Sequence, residues 1–188
     1  VDNVDVEVVD NFKLLGCILD NKLSFILYIN NLKKLVNKKL YAIKKIFYLS
    51  TSVKVQFFKS FIMPHFDYCN SIAIYLSKSL INSIEKFYNI CLFRLLNIRL
   101  FTIDLDEQIG ILSKYNILPY RYRSFYRICI FIYKILNKQI LNKFYDSLIF
   151  KDREYFRDRE YVDVPMVSTN FGNAKLSVFL PRFINKII

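Results

Sequence analysis

Apolar residues recur at helical spacing through much of this chain. One stripe follows steps of 3, 4, 4, 3 and 4 residues and consists of Ile29, Leu32, Val36, Leu40, Ile43 and Phe47. A second stripe follows steps of 3, 4, 3 and 4 residues and consists of Ile81, Ile84, Tyr88, Cys91 and Leu95. Because residues three and four apart share one face of an α-helix, both stripes predict amphipathic helices that bury this face.

Further helix boundaries are marked by residues that cap helices or interrupt them. Candidate N-caps of the second, third and fourth predicted helices are Ser50 or Thr51, Ser77 or Ser79, and Asp104 or Asp106. Pro64 should end or kink the second helix, because proline has no N–H to donate. A fifth helix is predicted from Pro119, which suits a first turn. Its apolar side consists of Phe125, Ile128, Ile132 and Ile135.

The N-terminal residues follow the pattern of strands instead. Residues 4–9 alternate apolar and acidic side chains, and residues 12–19 form an apolar run that Gly16 interrupts. Alternation is typical of strands, so we expect a small β-hairpin with Asp10 and Asn11 as its turn. Glycine within a strand marks a bulge or a close approach of another backbone. We therefore expect Gly16 to lie at one of these.

The C-terminal residues lack a clear period. Residues 151–163 mix both signs of charge, which predicts a solvated linker or a short helix, and beyond them Pro165, Gly172 and Pro181 break up short apolar runs. The predicted fold class is therefore mainly α. It is a helical, thumb-like bundle preceded by a short β-hairpin and followed by an irregular or β-like C-terminal tail.

Composition excludes two classes of protein. A hydrophobic content of 54% excludes a disordered chain. No apolar run approaches the roughly 18 to 20 residues needed to span a bilayer, and the acidic N-terminus does not suit a signal peptide. We expect a soluble, intracellular protein without a membrane partner, and leave open whether it is nuclear or cytoplasmic. The four cysteines have no CxxC spacing, so we interpret them as reduced core residues rather than a zinc site.

The charge of +12 is unevenly distributed. Residues 1–20 contain five carboxylates and one lysine, whereas residues 21–60 contain nine lysines and no carboxylate. The next carboxylate after Asp20 is Asp67. AT-rich codon usage raises the lysine content of a protein, but it does not remove every carboxylate from such a stretch. The placement of charge therefore indicates an anionic partner.

Lysines form a row on the first predicted helix, away from its apolar stripe. The row consists of Lys34, Lys38, Tyr41 and Lys45, and Lys33, Lys39 and Lys44 widen it. One interpretation is an ordinary solvated helix face. The other is phosphate binding, because no glutamate lies among these lysines to pair with them, and a polyanion would relieve their mutual repulsion.

A second basic segment opens the fifth predicted helix. Arginines alternate there with tyrosines, in the order Tyr120, Arg121, Tyr122, Arg123, Tyr126 and Arg127. A basic and aromatic mixture suits phosphates and exposed bases. An equally good interpretation places the tyrosines half in the core and the arginines on its rim.

Candidate catalytic groups are few. Asp104 and Asp106 form a D-x-D pair, but two-metal sites need several converging carboxylates, and Glu107 is the only other one nearby. Carboxylates also complement the first turn of a helix, and we interpret the pair as a cap. His65 and Cys69 lie four residues apart without an activating third group, which favours packing. We expect no catalytic residue, metal ligand or cofactor on this chain.

Several stretches carry a distinctive order of residues. Residues 12–20 read Phe-Lys-Leu-Leu-Gly-Cys-Ile-Leu-Asp, and residues 62–69 read Ile-Met-Pro-His-Phe-Asp-Tyr-Cys. Val-Pro follows at 164–165, Thr-Asn-Phe-Gly at 169–172, and then Pro181 and Asn185. In this order, they resemble the region after the catalytic palm domain in reverse transcriptases of non-LTR retrotransposons, of the LINE-type, jockey-like group. The similarity extends from about residue 12 to residue 185.

The resemblance implies a role for each segment. Residues 1–20 would form a hairpin at the end of the palm, and the strand around Leu15 and Gly16 is similar to the primer grip, which presents backbone to the primer's 3′ end. Residues 21–150 would form the thumb-like region that holds the RNA/DNA template–primer duplex, and residues 151–188 a linker and tail. The implied partners are nucleic acid and the upstream palm domain of the parent chain.

The family's catalytic Tyr-x-Asp-Asp motif is absent from these residues. The resemblance therefore assigns polymerisation, and the Mg²⁺ it needs, to the rest of a parent RNA-directed DNA polymerase. The expected function of this chain is non-catalytic binding of the template–primer duplex. The alternative is a helical interaction module, or a decayed retroelement fragment, with no nucleic-acid-binding role.

Overall fold

The structure is a computed structural model that describes residues 9–43, 48–99, 104–140, 145–146, 148–149, 162–169 and 175–187. In chain order, the elements are β1 (Asn11–Leu14), β2 (Cys17–Asp20), α1 (Ile26–Ile43), α2 (Thr51–Phe57), a π-helical turn (Phe58–Ile62), α3 (Met63–Asp67), a 3₁₀ helix (Asn70–Ile74), α4 (Lys78–Leu96), α5 (Leu105–Lys114), α6 (Tyr120–Leu136) and α7 (Leu176–Ile187). The predicted fold class, mainly helical after a short hairpin, is confirmed.

The chain divides into two compact units, Val1–Ser124 and Phe125–Ile188. Each unit has its own apolar core among the described residues. The predicted segments 1–20, 21–150 and 151–188 were drawn by expected role and not by compactness, so they stay a prediction.

The hairpin turns later in the sequence than predicted. β1 and β2 are antiparallel, and the register pairs Asn11 with Asp20 and Leu14 with Cys17. The turn residues are Leu15, with φ of 46°, and Gly16, with φ of 85°. Two-residue hairpin turns of type I′ need positive φ at both positions, and glycine adopts it without steric cost. The predicted Asp10–Asn11 turn was therefore wrong, and Gly16 lies in a turn rather than at a bulge.

Asp20 joins the hairpin to α1. Its carboxylate accepts hydrogen bonds from the main-chain N–H groups of Lys22 (3.1 Å), Ser24 (3.0 Å) and Phe25 (2.9 Å). It also accepts one from the Ser24 hydroxyl at 3.0 Å. These donors precede a helix without an acidic residue in its first turn. One carboxylate therefore holds the corner between β2 and α1.

The apolar stripe of α1 faces the first core. Ile29 and Val36 are buried, and Leu32 and Leu40 are half-buried and pack against the core cluster. The predicted continuation of the stripe at Phe47 lies outside the described residues, as does the side chain of Ile43. The outer face of α1 is consequently the face that carries the lysines.

Pro64 interrupts the regular helix as the sequence predicted. α2 continues into the π-helical turn and then into α3, with Pro64 in the first turn of α3. Proline cannot donate to the carbonyl four residues earlier, and its ring crowds that carbonyl. The wider π-helical turn accommodates this change while Phe58 and Ile62 remain buried.

α4 forms the centre of the first unit. Its predicted cap is confirmed, because the Ser77 hydroxyl accepts a hydrogen bond from the N–H of Leu80 at 3.3 Å. The Tyr88 ring lies edge-on to the rings of Phe58 and Phe66, with centroids 5.3 and 5.1 Å away. The predicted apolar stripe is buried at Ile84, Tyr88, Cys91 and Leu95.

The end of the predicted irregular tail is helical. α7 contains Pro181 and buries Val178, Leu180 and Ile184. Proline and glycine in this segment led to the prediction of an irregular or β-like structure, but the burial of apolar side chains at helical spacing outweighs the hydrogen bond that Pro181 loses. The second core joins these residues to Ile132 and Ile135 of α6.

An extended segment packs beside α7. The Asn185 side chain accepts a hydrogen bond from the N–H of Val162 and donates one to its carbonyl, both at 2.8 Å. The amide thus pairs with Val162 as a neighbouring strand would. Residues 163–168 form no helix or strand, which agrees with the prediction for this part of the tail.

Candidate nucleic-acid interface

The outer face of α1 presents the predicted row of lysines. Lys34 and Lys38 are exposed, and Tyr41, about one turn after Lys38, is 73% exposed. Residues three and four apart lie on one helix face, so these side chains form a single surface that we call the basic face. Lys45, the fourth predicted member, lies outside the described residues together with Lys44.

Lys33 and Lys39 lie on the two flanks of α1 rather than on the basic face. Lys33 donates a hydrogen bond from Nζ to the Ser83 hydroxyl at 2.7 Å and lies 5.8 Å from the centroid of the Phe87 ring. It therefore packs against α4, and its predicted role in binding stays a prediction. Lys39 lies near His65 of α3, and burial together with the charge of Lys39 lowers the pKa of that imidazole.

The hairpin turn is held by a residue of α3's C-terminal end. The Tyr68 hydroxyl donates a hydrogen bond to the carbonyl of Leu15. A Cβ added at Gly16 would lie 3.6 Å from the Tyr68 ring, which is ordinary contact. Tyr28 of α1 donates from its hydroxyl to the Tyr68 carbonyl at 3.2 Å. The hairpin turn is thus fixed to the segment that contains Asp67, Tyr68 and Cys69.

Two cysteines lie next to the hydrogen-bonded contact between the hairpin turn and Tyr68. Cys17, directly after the turn, is buried, and Cys69, directly after Tyr68, is half-buried. Burial, and then the adjacent thiol of Cys69, raise the pKa of Cys17. Raised values disfavour the thiolate, which is the reactive form. Both cysteines are free and serve as small packing residues, as the sequence indicated for Cys69.

The same segment binds α6. The guanidinium of Arg123 donates to both carboxylate oxygens of Asp67, with Nε 2.6 Å from Oδ1. Asn70 donates from its amide to the Ser124 carbonyl at 3.0 Å and accepts from the Ser124 hydroxyl at 2.9 Å. The four residues 67–70 therefore connect the hairpin on one side with the start of α6 on the other.

Two of the predicted arginines of α6 are engaged within the first unit, and the binding role of all three stays a prediction. Arg123 forms an ion pair with Asp67, and its side chain is only 21% exposed. Arg121 pairs with Glu85 at 2.6 Å and also donates to Asn82. Arg127 is exposed and belongs to the second unit. The interpretation of arginines on the rim of a core fits Arg121 and Arg123, but of the tyrosines only Tyr120 is buried, whereas Tyr122 and Tyr126 are exposed.

A groove lies between α4 and α5. Its volume is about 1010 Å³, its wall includes the apolar Ile90 and Ile109, and its rim includes Lys86 and Arg94. The sequence did not indicate this groove, because it is formed by residues far apart in the chain.

The candidate metal-binding pair has another role. The Asp104 carboxylate accepts a hydrogen bond from the N–H of Glu107 at 2.7 Å, as an N-cap does. The capping interpretation is therefore confirmed for Asp104. Within the described ranges, no three His, Cys, Asp or Glu side chains converge as a metal site.

Sequence reasoning missed the residues that organise this region. Asp67, Tyr68 and Asn70 connect three elements, and the stacked rings of Phe57 and Phe61 lie on α2 and the π-helical turn. The distinctive order of residues 62–69 was the available signal, although it did not indicate which contacts these residues make.

Comparison of the chain with protein-family models, curated proteins and solved structures found no significant match. Among the helices that the structure describes, none has the length and apolar character needed to cross a membrane.

Proposed function

We propose that this chain binds a nucleic-acid duplex, the RNA/DNA template–primer of a retrotransposon RNA-directed DNA polymerase, through the basic face of α1. The observation that carries the proposal is the exposure of Lys34 and Lys38 opposite a buried stripe, within a stretch from Asp20 to Asp67 that contains no carboxylate. A helix face of this kind is suited to phosphates and not to a mixed-charge protein surface.

The energetics favour a polyanionic partner. Lys34 and Lys38 lie one turn apart, and like charges at this spacing destabilise a helix by about 0.2 to 0.5 kcal/mol. A duplex relieves this repulsion and releases its own condensed counterions when lysines replace them. RNA-containing duplexes are recognised largely through shape, phosphates and 2′-hydroxyls, so lysines without specific base contacts are sufficient.

The tip of the hairpin supports the same assignment. Leu15 is 83% exposed and Gly16 is exposed, while Tyr68 holds the Leu15 carbonyl. In the family that the sequence resembles, the primer grip presents backbone to the primer's 3′ end. An exposed turn that a hydrogen bond from Tyr68 holds in place is suited to this role.

The proposal is tested by the salt dependence of binding. We would measure the affinity of the full chain for an RNA/DNA duplex over a range of salt concentrations, and repeat this with Lys34→Gln/Lys38→Gln. Each lysine in phosphate contact contributes about 0.9 to the log–log slope on B-form DNA, so we expect the double variant to flatten the slope by about 2. The fold should be unaffected because both side chains are exposed.

A matched control is the double variant Lys134→Gln/Lys186→Gln. Both lysines are exposed, and both belong to the second unit. We expect this variant to change the slope much less. Equal effects of the two double variants would mean that the positive charge acts diffusely. Absence of duplex binding by the unaltered chain would instead favour the alternative, a helical interaction module or decayed fragment.

A further inference from the structure

Two aromatic rings stack on the surface of the first unit. The ring centroids of Phe57 and Phe61 are 4.6 Å apart, and the ring planes differ by 19°. Phe61 is 54% exposed, and Phe57 is half-buried beneath it. Aromatic pairs of this size usually bury their rings in a core or an interface. An exposed stacked pair therefore leaves a flat aromatic surface available to a ligand.

The π-helical turn sets the position of this pair. Phe58 and Ile62 within the turn are buried, Phe57 packs against the first core, and Phe61 is directed outward from it. Pro64 requires the local departure from regular α-helix, as described above. π-helical turns inside longer helices occur frequently at functional sites. The stacked arrangement is thus built into the backbone rather than left to two mobile side chains.

The pair and the basic face belong to the same stretch of chain without carboxylates. His65 follows Phe61 by one turn of the continuous helical segment. His65 also lies near enough to Lys39, on the flank of α1, for the lysine charge to act on its imidazole. The aromatic pair, His65, Lys39 and the basic face all lie between Asp20 and Asp67, where the sequence contains no carboxylate.

We propose that the stacked pair of Phe57 and Phe61 binds an unpaired nucleobase, at a single-stranded extension of the duplex held by the basic face. The inference deepens the proposed function and rests on it. Stacking on an aromatic side chain is tolerant of sequence because every base has a π-face, and cationic neighbours position the adjoining phosphates. The same stretch without carboxylates disfavours a basic or mixed-charge protein partner at this place.

The test compares three duplexes with the same paired region. One is blunt, one carries a short single-stranded extension, and one carries an extension of equal length with abasic residues. We expect the full chain to bind the second at least about fivefold more tightly than the first. The abasic extension has the same phosphates, so it should retain little of this advantage.

Variants at Phe61 assign the advantage to the ring. Phe61→Leu should bind the blunt duplex as the unaltered chain does and lose the preference for the extended duplex. Phe61→Tyr should keep the preference, because it keeps the π-face. Lys34→Gln/Lys38→Gln should weaken binding to all three duplexes. Thermal unfolding of each variant verifies that the exposed substitution leaves the fold intact.

The outcomes separate the two proposals. A preference that survives Phe61→Leu, or that the abasic extension reproduces, overturns the stacking site while leaving duplex binding in place. Failure to bind the blunt duplex, with retained Phe61-dependent binding of the extended duplex, overturns duplex binding by the basic face and supports the stacking site. If the chain binds neither form of nucleic acid, both proposals are wrong.

Discussion

The hydroxyl of Tyr68 donates a hydrogen bond to the main-chain carbonyl of Leu15, so a residue from the end of α3 holds the tip of the hairpin. The two residues are 53 positions apart in sequence. A two-stranded hairpin is marginally stable on its own. Leu15 also has a positive φ, which a leucine adopts only at an energetic cost. The turn therefore depends on the contact with Tyr68.

We predict that Tyr68→Phe loosens the hairpin without unfolding the first unit. Amide hydrogen exchange should accelerate in β1 and β2 and remain unchanged in α4, because only the hairpin loses its hydrogen bond. Tyr48→Phe, at an exposed tyrosine, is the matched control. Equal exchange in the two variants would show that Tyr68 does not hold the turn.

The two ion pairs of α6 should differ in their contribution to stability. The Arg123–Asp67 side chains are 21% and 16% exposed, whereas Arg121 is 48% exposed. Arg123→Ala removes the guanidinium that pairs with a partly buried carboxylate, and we expect it to lower the free energy of unfolding by about 2 to 3 kcal/mol. Arg121→Ala should cost less than about 1 kcal/mol. Urea denaturation measures both.

The Arg123→Ala variant also tests the predicted binding role of Arg123. Arg123→Ala should leave the salt dependence of duplex binding unchanged under conditions where the variant is folded. If it flattened the slope as strongly as the change at Lys34 and Lys38, Arg123 would belong to the phosphate-binding surface after all.

A substitution at Tyr88 should affect stability in the opposite direction from Arg123→Ala. Its ring is fully buried, and within the part of the chain that the structure describes its hydroxyl has no hydrogen-bond partner. Burial raises the pKa of Tyr88, because the charged form loses its hydration. We expect Tyr88→Phe to leave stability unchanged or to raise it by about 1 kcal/mol, since an unpaired buried hydroxyl is removed.

Tyr28→Phe is the comparison for this variant, because the Tyr28 hydroxyl donates to the Tyr68 carbonyl. It should lower the free energy of unfolding, as measured by the same denaturation. A clear loss of stability in Tyr88→Phe would mean that the hydroxyl has a partner in solution.

The lowered pKa of Asp20 predicts that the stability of the fold depends on pH. Hydrogen bonds to its carboxylate, first of all from the main-chain N–H of Ser24, lower the pKa of Asp20 below its ordinary value. Because the folded-state pKa is the lower one, its stabilisation is complete at neutral pH and disappears as the pH falls below about 4. Asp20→Asn should therefore lower the melting temperature at pH 7 and have little effect at about pH 2.

The control for this prediction is Asp146→Asn, at an exposed aspartate of the second unit. We expect it to leave the melting temperature unchanged at both pH values. A constant difference between Asp20→Asn and the unaltered chain across the acidic range would show that the charge of Asp20 is not responsible.

The sequence predicted those features that depend on neighbouring residues. Ser77 and Asp104 cap helices because each side chain reaches an N–H three residues later. The stripe of α4 and the interruption at Pro64 are equally local. Asp10 and Asn11 also have the local character of a turn, but the pairing of Asn11 with Asp20 takes precedence. Pro181 suggested an irregular tail because its local preference was weighed without the core that α7 helps to form.

The contacts that define the candidate interface were not predictable in this way. Arg121 and Arg123 differ little in sequence context. Yet Arg121 pairs with Glu85, 36 residues away, and Arg123 pairs with Asp67, 56 residues away. Lys33 and Lys34 are adjacent, but the packing of α4 beside α1 engages only Lys33. Which cations remain exposed is therefore decided by tertiary structure, whereas the absence of carboxylates around them is visible in the sequence.

The second core, beside which the Asn185 amide pairs with Val162, has a consequence for folding during synthesis on the ribosome. The second core needs Leu180 and Ile184, so it cannot be completed until α7 has emerged from the exit tunnel. The contacts described above for residues 67–70 join them to residues no later in the chain than Ser124. Domains generally fold as units, N-terminal first, during translation. The basic face and the hairpin of the nascent chain can therefore form before the residues that pack against α6 in the second unit have been synthesised.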